Sequence, residues 1–244
     1  MLPGSGPAAS IAAMKTIGIL GGMSWESSAI YYQLLNREVQ TRLGGVHSAK
    51  LLLYSFDFGV MAELQRSGRW DEANALMARV ASDLAKAGAD FLLIACNTMH
   101  CATPQMAAAT RLPLLHIADP LGAAIVAAGL RRVGLLGSQY TMEQDGIIRG
   151  RLKQRYGIDV ITPKGEDAAL VSRVIYEELV RGKFLETSRR AYAQVIARLI
   201  AAGAQGIVLG CTELPLLVKP EDSAVPLFDT TTLHALAAVD MMLG

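Results

Sequence analysis

The chain has 244 residues, 52% of them hydrophobic and 18% charged, and its 23 basic and 22 acidic side chains leave a formal net charge of +1. A chain of this length and composition can bury a sizeable core, which excludes disorder as a description of the whole. The balanced charge offers no basic surface to a nucleic-acid backbone, and no apolar run approaches the roughly 18 residues that span a bilayer, so neither nucleic acid nor membrane is an expected partner. Residues 1–13 carry no Lys or Arg and so lack the charged start of a signal peptide; they are expected to be a disordered extension ahead of Met14-Lys15, which reads as a natural start. β-rich runs follow at residues 16–20, 50–54, 91–95, 114–117, 133–136, 159–162, 206–209 and 225–228. Between them, apolar positions recur at helical spacing, as in Ile30, Leu34, Leu35 and Val39 and again in Val171, Val174, Ile175 and Leu179. The strands are nearly continuous apolar runs, the pattern of a sheet covered on both faces. The expected class is therefore α/β with mostly parallel sheets.

An internal repeat divides the chain. Ile17-Gly18-Ile19-Leu20-Gly21-Gly22 returns as Val133-Gly134-Leu135-Leu136-Gly137-Ser138, and Ala87-Gly88-Ala89-Asp90 ahead of Cys96 returns as Ala202-Gly203-Ala204-Gln205 ahead of Cys211. Two similar lobes related by a pseudo-twofold, with a site in the cleft between them, are expected over residues 14–118 and 119–229. Residues 230–244 are expected to pack back on the first lobe. Three cysteines make an odd, sparse set that argues against a disulfide framework and for reduced thiols in the cytoplasm.

Cys96 and Cys211 each end an apolar strand and begin a polar turn, in Cys96-Asn97-Thr98 and Cys211-Thr212-Glu213. Ligands of open α/β sheets bind outside the carboxyl ends of the strands, where backbone N–H groups and helix N-termini are expected to lower a thiol pKa. Taken singly, either cysteine can equally be a small core residue. Taken together at equivalent repeat positions, they match the demand of racemisation, in which a proton leaves one face of a stereocentre and another returns to the opposite face. Charge developing on the substrate carboxylate then needs donors, for which Asn97, Thr98, Thr141 and Thr212 are candidates. Thr141 has a second reading, as the start of a capping box with Gln144.

Gly18-Ile19-Leu20-Gly21-Gly22-Met23-Ser24-Trp25, Cys96-Asn97-Thr98-Met99-His100 and Gly210-Cys211-Thr212-Glu213 together resemble the aspartate/glutamate racemase family, over essentially the whole chain from Met14. The resemblance implies a cofactor-independent amino-acid racemase, usually a homodimer, with Cys96 and Cys211 as the acid/base pair, one on each lobe. It implies that Met23, Asn97, Thr98, Thr212 and Glu213 line the substrate, with Glu213 binding the amino group or orienting Cys211; as a bare residue, Glu213 reads equally as a helix N-terminal charge. Family members that act on aspartate hold its distal carboxylate with an Arg and a Lys. The corresponding stretches, residues 57–65 and 163–170, show no clear counterpart. Acidic substrates are therefore expected to be weak, or else Gln65, Arg66 or Lys164 substitutes, with Gln65 the preferred side-chain contact. Hydantoin racemases and maleate isomerase share the paired cysteines, and a non-catalytic small-ligand-binding protein is the alternative from another class.

Other features are set aside. Gly18, Gly21 and Gly22 lack the G-x-G-x-x-G spacing of a dinucleotide loop, and Asp57 comes too late for a ribose acid. His100 and Cys101 with Cys96 match no zinc spacing, so no metal is expected. Asp119 and Asp229 read as helix N-caps, His116 and His234 as structural residues, and Trp25 and Trp70 as packing anchors.

Overall fold

A computed structural model describes residues 14–244; the extension expected at residues 1–13 lies outside the described residues. The first lobe runs β1 (Ile17–Gly21), α1 (Trp25–Leu43), β2 (Leu51–Ser55), α2 (Phe58–Arg66), α3 (Trp70–Lys86), β3 (Phe91–Ile94), α4 (Thr103–Ala109) and β4 (Leu114–Leu115). After α5 (Ala118–Ala127) the second lobe runs β5 (Arg132–Gly137), α6 (Gln139–Glu143), α7 (Arg149–Tyr156), β6 (Asp159–Ile161), α8 (Glu166–Glu177), α9 (Glu186–Ala201), β7 (Ile207–Gly210), α10 (Leu214–Leu217) and β8 (Leu227–Asp229), and α11 (Thr230–Leu243) closes the chain. Each lobe has a four-stranded, all-parallel sheet, ordered β2-β1-β3-β4 and β6-β5-β7-β8. The two orders are the same, as the repeat requires.

The central strands β1, β3 and β7 are buried throughout because helices cover both faces, whereas edge strand β2 leaves Leu53 and Tyr54 exposed. In the first lobe α3 buries Met77, Val80, Ala81 and Leu84 against one face of the sheet. On the other face, Tyr31, Leu35 and Val39 of α1 pack with Ala235, Val239 and Met242 of α11, so the terminal helix lies against the first lobe. The second lobe repeats the scheme, with Val195 and Leu199 of α9 on one face and Leu121, Ile125 and Leu152 of α5 and α7 on the other.

Glycine explains two close approaches. A Cβ at Gly18 would meet Ala89 and Leu92 at 2.9 Å and Leu84 of α3 at 3.3 Å, and one at its repeat partner Gly134 would meet Ile207 at 2.9 Å and Leu199 of α9 at 3.0 Å, so both starting strands need a bare Cα against the neighbouring strand and helix. Gly22 has φ +85°, and a Cβ there would lie 2.3 Å from the Phe56 carbonyl oxygen; the β1–α1 turn thus crosses directly over the β2–α2 turn.

Three local expectations are corrected. Asp119 does not cap a helix: it sits inside the first turn of α5, where Arg151 grips it at 2.6 and 2.7 Å and Arg155 at 3.1 Å. Trp25 does not anchor packing, being 65% exposed at the start of α1, while Trp70 does, packing into the first-lobe core and edge-on against Tyr140 with ring centroids 5.0 Å apart. The cap of α6 is Ser138, whose hydroxyl accepts from the Thr141 N–H, so Thr141 is free of capping work. Asp229 does cap α11, accepting from the Thr231 N–H.

Candidate active site

The carboxyl ends of the four inner strands converge between the lobes. Met23 follows β1, Cys96, Asn97 and Thr98 follow β3, Ser138 and Thr141 follow β5, and Cys211, Thr212 and Glu213 follow β7. Together with Phe58, Gln65, Ile175, Tyr176 and Val180 they line one narrow cleft. All nine residues singled out from the sequence, Met23, Gln65, Cys96, Asn97, Thr98, Thr141, Cys211, Thr212 and Glu213, open into this space. Arg66 and Lys164 do not. Arg66 pairs with Glu63 and lies in an outer cleft with Arg181, and Lys164 lies in a separate groove with Arg132 and Arg198. Among the described residues lining the cleft there is no Lys, Arg or His, and the one charged side chain is Glu213.

Glu213 is buried and saturated with donors from both lobes. Its Oε1 accepts from Ser24 Oγ at 2.6 Å and Ser27 Oγ at 2.9 Å, and its Oε2 from Thr212 Oγ1 at 2.7 Å and the Cys211 thiol at 3.1 Å. Ser24 also caps α1, which places the positive end of a 19-residue helix beside the carboxylate and offsets its charge without a cation. The Ser27 and Thr212 hydroxyls meet across the lobe boundary. A second hydroxyl cluster joins the lobes on the other side: Thr98 Oγ1 lies 3.0 Å from Ser138 Oγ and 2.9 Å from Thr141 Oγ1.

The Cys96 turn is tied to the two chain crossings between the lobes. His100 Nε2 accepts from the Ile117 N–H at 3.2 Å, so Nδ1 carries the proton and donates to the Cys96 carbonyl at 2.8 Å. Asn97 Nδ2 donates to Thr230 Oγ1 at 3.1 Å, and Thr230 donates to the Leu209 carbonyl. Asn97 Oδ1, on a side chain only 4% exposed, has no hydrogen-bond partner among the described residues.

The sign of the thiol shifts corrects the sequence expectation. Burial pushes Cys96 up to about 12; the N–H groups of Met99 and Thr98 pull it down but are outweighed, and Glu213 raises it further. Cys211 is raised well above its ordinary value by burial first and then by Glu213, both as a charge and as the acceptor of its proton. Both thiols are thus held protonated at neutral pH, each raised by burial among apolar neighbours. His100 Nδ1, His234 and His116 belong to a neutral stack behind the cleft: His234 Nε2 donates to the Leu115 carbonyl at 2.9 Å and its Nδ1 accepts from Tyr31, while His116 Nδ1 accepts from the Ala118 N–H. Among the described residues no group of three or more His, Cys, Asp and Glu side chains is arranged to hold a metal ion, and no helix is long and apolar enough to cross a membrane.

Sequence reasoning missed Ser24, Ser27, Ser138 and Tyr176. Ser138 was findable, because it is the repeat counterpart of Gly22 at the cleft edge. Tyr176 stands beside the apolar stripe of α8, and only the packing of that helix against β5 and α6 turns it toward the cleft.

The description Asp/Glu/Hydantoin racemase belongs to a family model that matches residues 20–238. A glutamate racemase from Herpetosiphon aurantiacus is 30% identical over 184 residues, 70% of this chain and 70% of that protein. A structure of a Yersinia pestis protein assigned as an Asp/Glu racemase superposes with TM-score 0.88 at 50% identity, covering 95% of this chain and 100% of the other. An aspartate racemase homologue from Pyrococcus horikoshii superposes with TM-score 0.79 at 29% identity, again over 95% of this chain and 100% of the other.

Proposed function

The chain belongs to the Asp/Glu/hydantoin racemase family, and on that premise we propose that it inverts a free amino acid by moving the α-proton between Cys96 and Cys211 without a cofactor. The observation that carries this reading is that two thiols from equivalent strand ends, one per lobe, open into one cleft. One sulfur acts as thiolate and takes the α-proton, forming S–H while the C–H electron pair delocalises into the substrate carboxylate. The opposite thiol then delivers its proton to the other face of the carbon, and the pair is left with its roles exchanged.

Each remaining group has a task in that scheme. Asn97 Oδ1, open and buried, accepts from the substrate ammonium, whose charge in turn favours a thiolate beside it. The cluster of Thr98, Ser138 and Thr141 hydroxyls turns a donor toward the developing carboxylate charge, while Thr212, whose hydroxyl proton goes to Glu213, lines the substrate. Glu213 acts through Cys211, holding its S–H in place. Three free thiols fit a reducing cytoplasm, and a homodimer completes the proposal.

Incubation of the protein with single amino acids in heavy water, followed by NMR and chiral chromatography, tests the scheme. Inversion accompanied by α-deuteration is expected, and Cys96→Ala and Cys211→Ala each abolish inversion. Inversion at the original rate in either variant would overturn the two-thiol mechanism, and binding without exchange would identify a ligand-binding protein.

A further inference from the structure

We propose that the preferred substrate is an α-amino acid whose side chain is uncharged and ends in a hydroxyl or an amide, an inference that rests on the two-thiol reading. The charge inventory of the cleft is the first argument. Glu213, its one charged side chain, is a carboxylate that already accepts from Ser24, Ser27, Thr212 and Cys211, and no Lys, Arg or His lines the space among the described residues. A substrate carboxylate beyond the α-position would add a second anion with no cation to meet it, in a setting where desolvation is expensive. Arg66 and Arg181 line the adjoining outer cleft, which shares Phe58, Gln65, Tyr176 and Val180 with this one, and neither lines the inner cleft itself.

Gln65 supplies the second argument. Its side chain is 4% exposed, yet among the described residues its amide meets only the Met99 thioether, at 3.2 Å from Nε2. A thioether is a weak acceptor, so the amide keeps both donating and accepting capacity at the cleft surface. The residue is also held in place, because Tyr140 donates to its backbone carbonyl at 3.4 Å and Tyr140 is itself braced against Trp70. An alkyl side chain leaves that buried amide unmet, and a carboxylate uses its N–H while leaving its own charge uncompensated. A hydroxyl or amide both donates and accepts, and satisfies it.

Rates of α-deuteration and inversion are measured on the intact protein with L-serine, L-threonine, L-asparagine, L-glutamine, L-alanine, L-aspartate and L-glutamate. The best hydroxyl or amide substrate is expected to exceed aspartate and glutamate in kcat/KM by about 100-fold and alanine by about tenfold. Gln65→Leu is expected to reduce that advantage over alanine to within about threefold. Exchange led by aspartate or glutamate, or by alanine, overturns this inference while leaving the two-thiol mechanism standing. Absence of exchange with every member of the panel overturns the mechanism, and this inference with it. The panel on the unaltered protein decides the matter even if Gln65→Leu fails to fold.

Discussion

Cys96 and Cys211 end equivalent strands, but the turns behind them are made of different chemistry. Around Cys96, two backbone N–H donors favour a thiolate, a histidine clamps the carbonyl and Asn97 is bound to the second lobe crossing, while Glu213 raises this thiol through its charge without accepting its proton. Behind Cys211 lies the Glu213 carboxylate, which accepts the thiol proton and opposes its loss. The repeat therefore duplicates position without duplicating electrostatics. In the proposed exchange, which needs one thiolate and one thiol, both sulfurs start protonated, and this asymmetry would make Cys96 the easier of the two to deprotonate.

The most severe break in that comparison is removal of a sulfur. Cys96→Ala or Cys211→Ala is expected to lower inversion by about 10³-fold, measured by chiral chromatography, because a general acid or base supplies about 10²–10⁴. The pH profile comes next. Because burial raises both thiols, the thiolate fraction grows about tenfold per pH unit through the neutral range, and kcat/KM for inversion is expected to rise between about pH 7 and 9. A flat profile would mean that a thiolate is already populated at neutral pH and would remove the role of burial.

Glu213→Gln sharpens the comparison. It keeps the shape of the side chain and removes the charge, so alkylation of Cys211 by iodoacetamide is expected to speed up by about tenfold while Cys96 changes less. Mass spectrometry of partly labelled protein reads the ratio; in the unaltered protein Cys96 is expected to label first.

The smallest effect concerns the histidine stack behind the Cys96 turn. Burial lowers His100 to about 4 and His234 to about 3, against about 6.5 for an exposed histidine; the neighbouring charged groups are Arg151, which lowers His100 further, and Asp119, which raises both. Both folded values are depressed, so the unfolded chain binds more protons below about pH 6.5. The contribution to stability is complete above that value and is lost as pH falls toward 4. The urea midpoint is expected to be lower at pH 5 than at pH 7, and His100→Gln is expected to flatten that dependence.

Local pattern carried much of the fold. Strands buried on both faces must be apolar at every position, so residues 91–95 and 206–209 could be read without partners, and each observed strand overlaps its predicted run. The candidate site was legible for the same reason. A thiol directly after such a run stands at the carboxyl edge of a sheet, and the repeat showed that there were two. What failed was local chemistry overruled at a distance. Thr141 has the spacing of a capping box, but Ser138 three residues earlier takes the cap. Asp119 has the look of a helix start, but Arg151 and Arg155 from α7 claim its carboxylate. Trp25, large and apolar, finds no cover once α1 has turned Tyr31, Leu35 and Val39 inward.

The order of residues by itself determined two parallel α/β lobes and a thiol at the matching edge of each, because apolar periodicity and repeat spacing depend only on neighbours along the chain. Tertiary structure alone decided the electrical character of the cleft. Ser24 and Ser27 reach Glu213 from 189 and 186 residues away in sequence, and the burial that raises both thiols comes from core side chains that only the folded lobes bring around them. Solvation and charge act through space, and a one-dimensional pattern holds no measure of that distance.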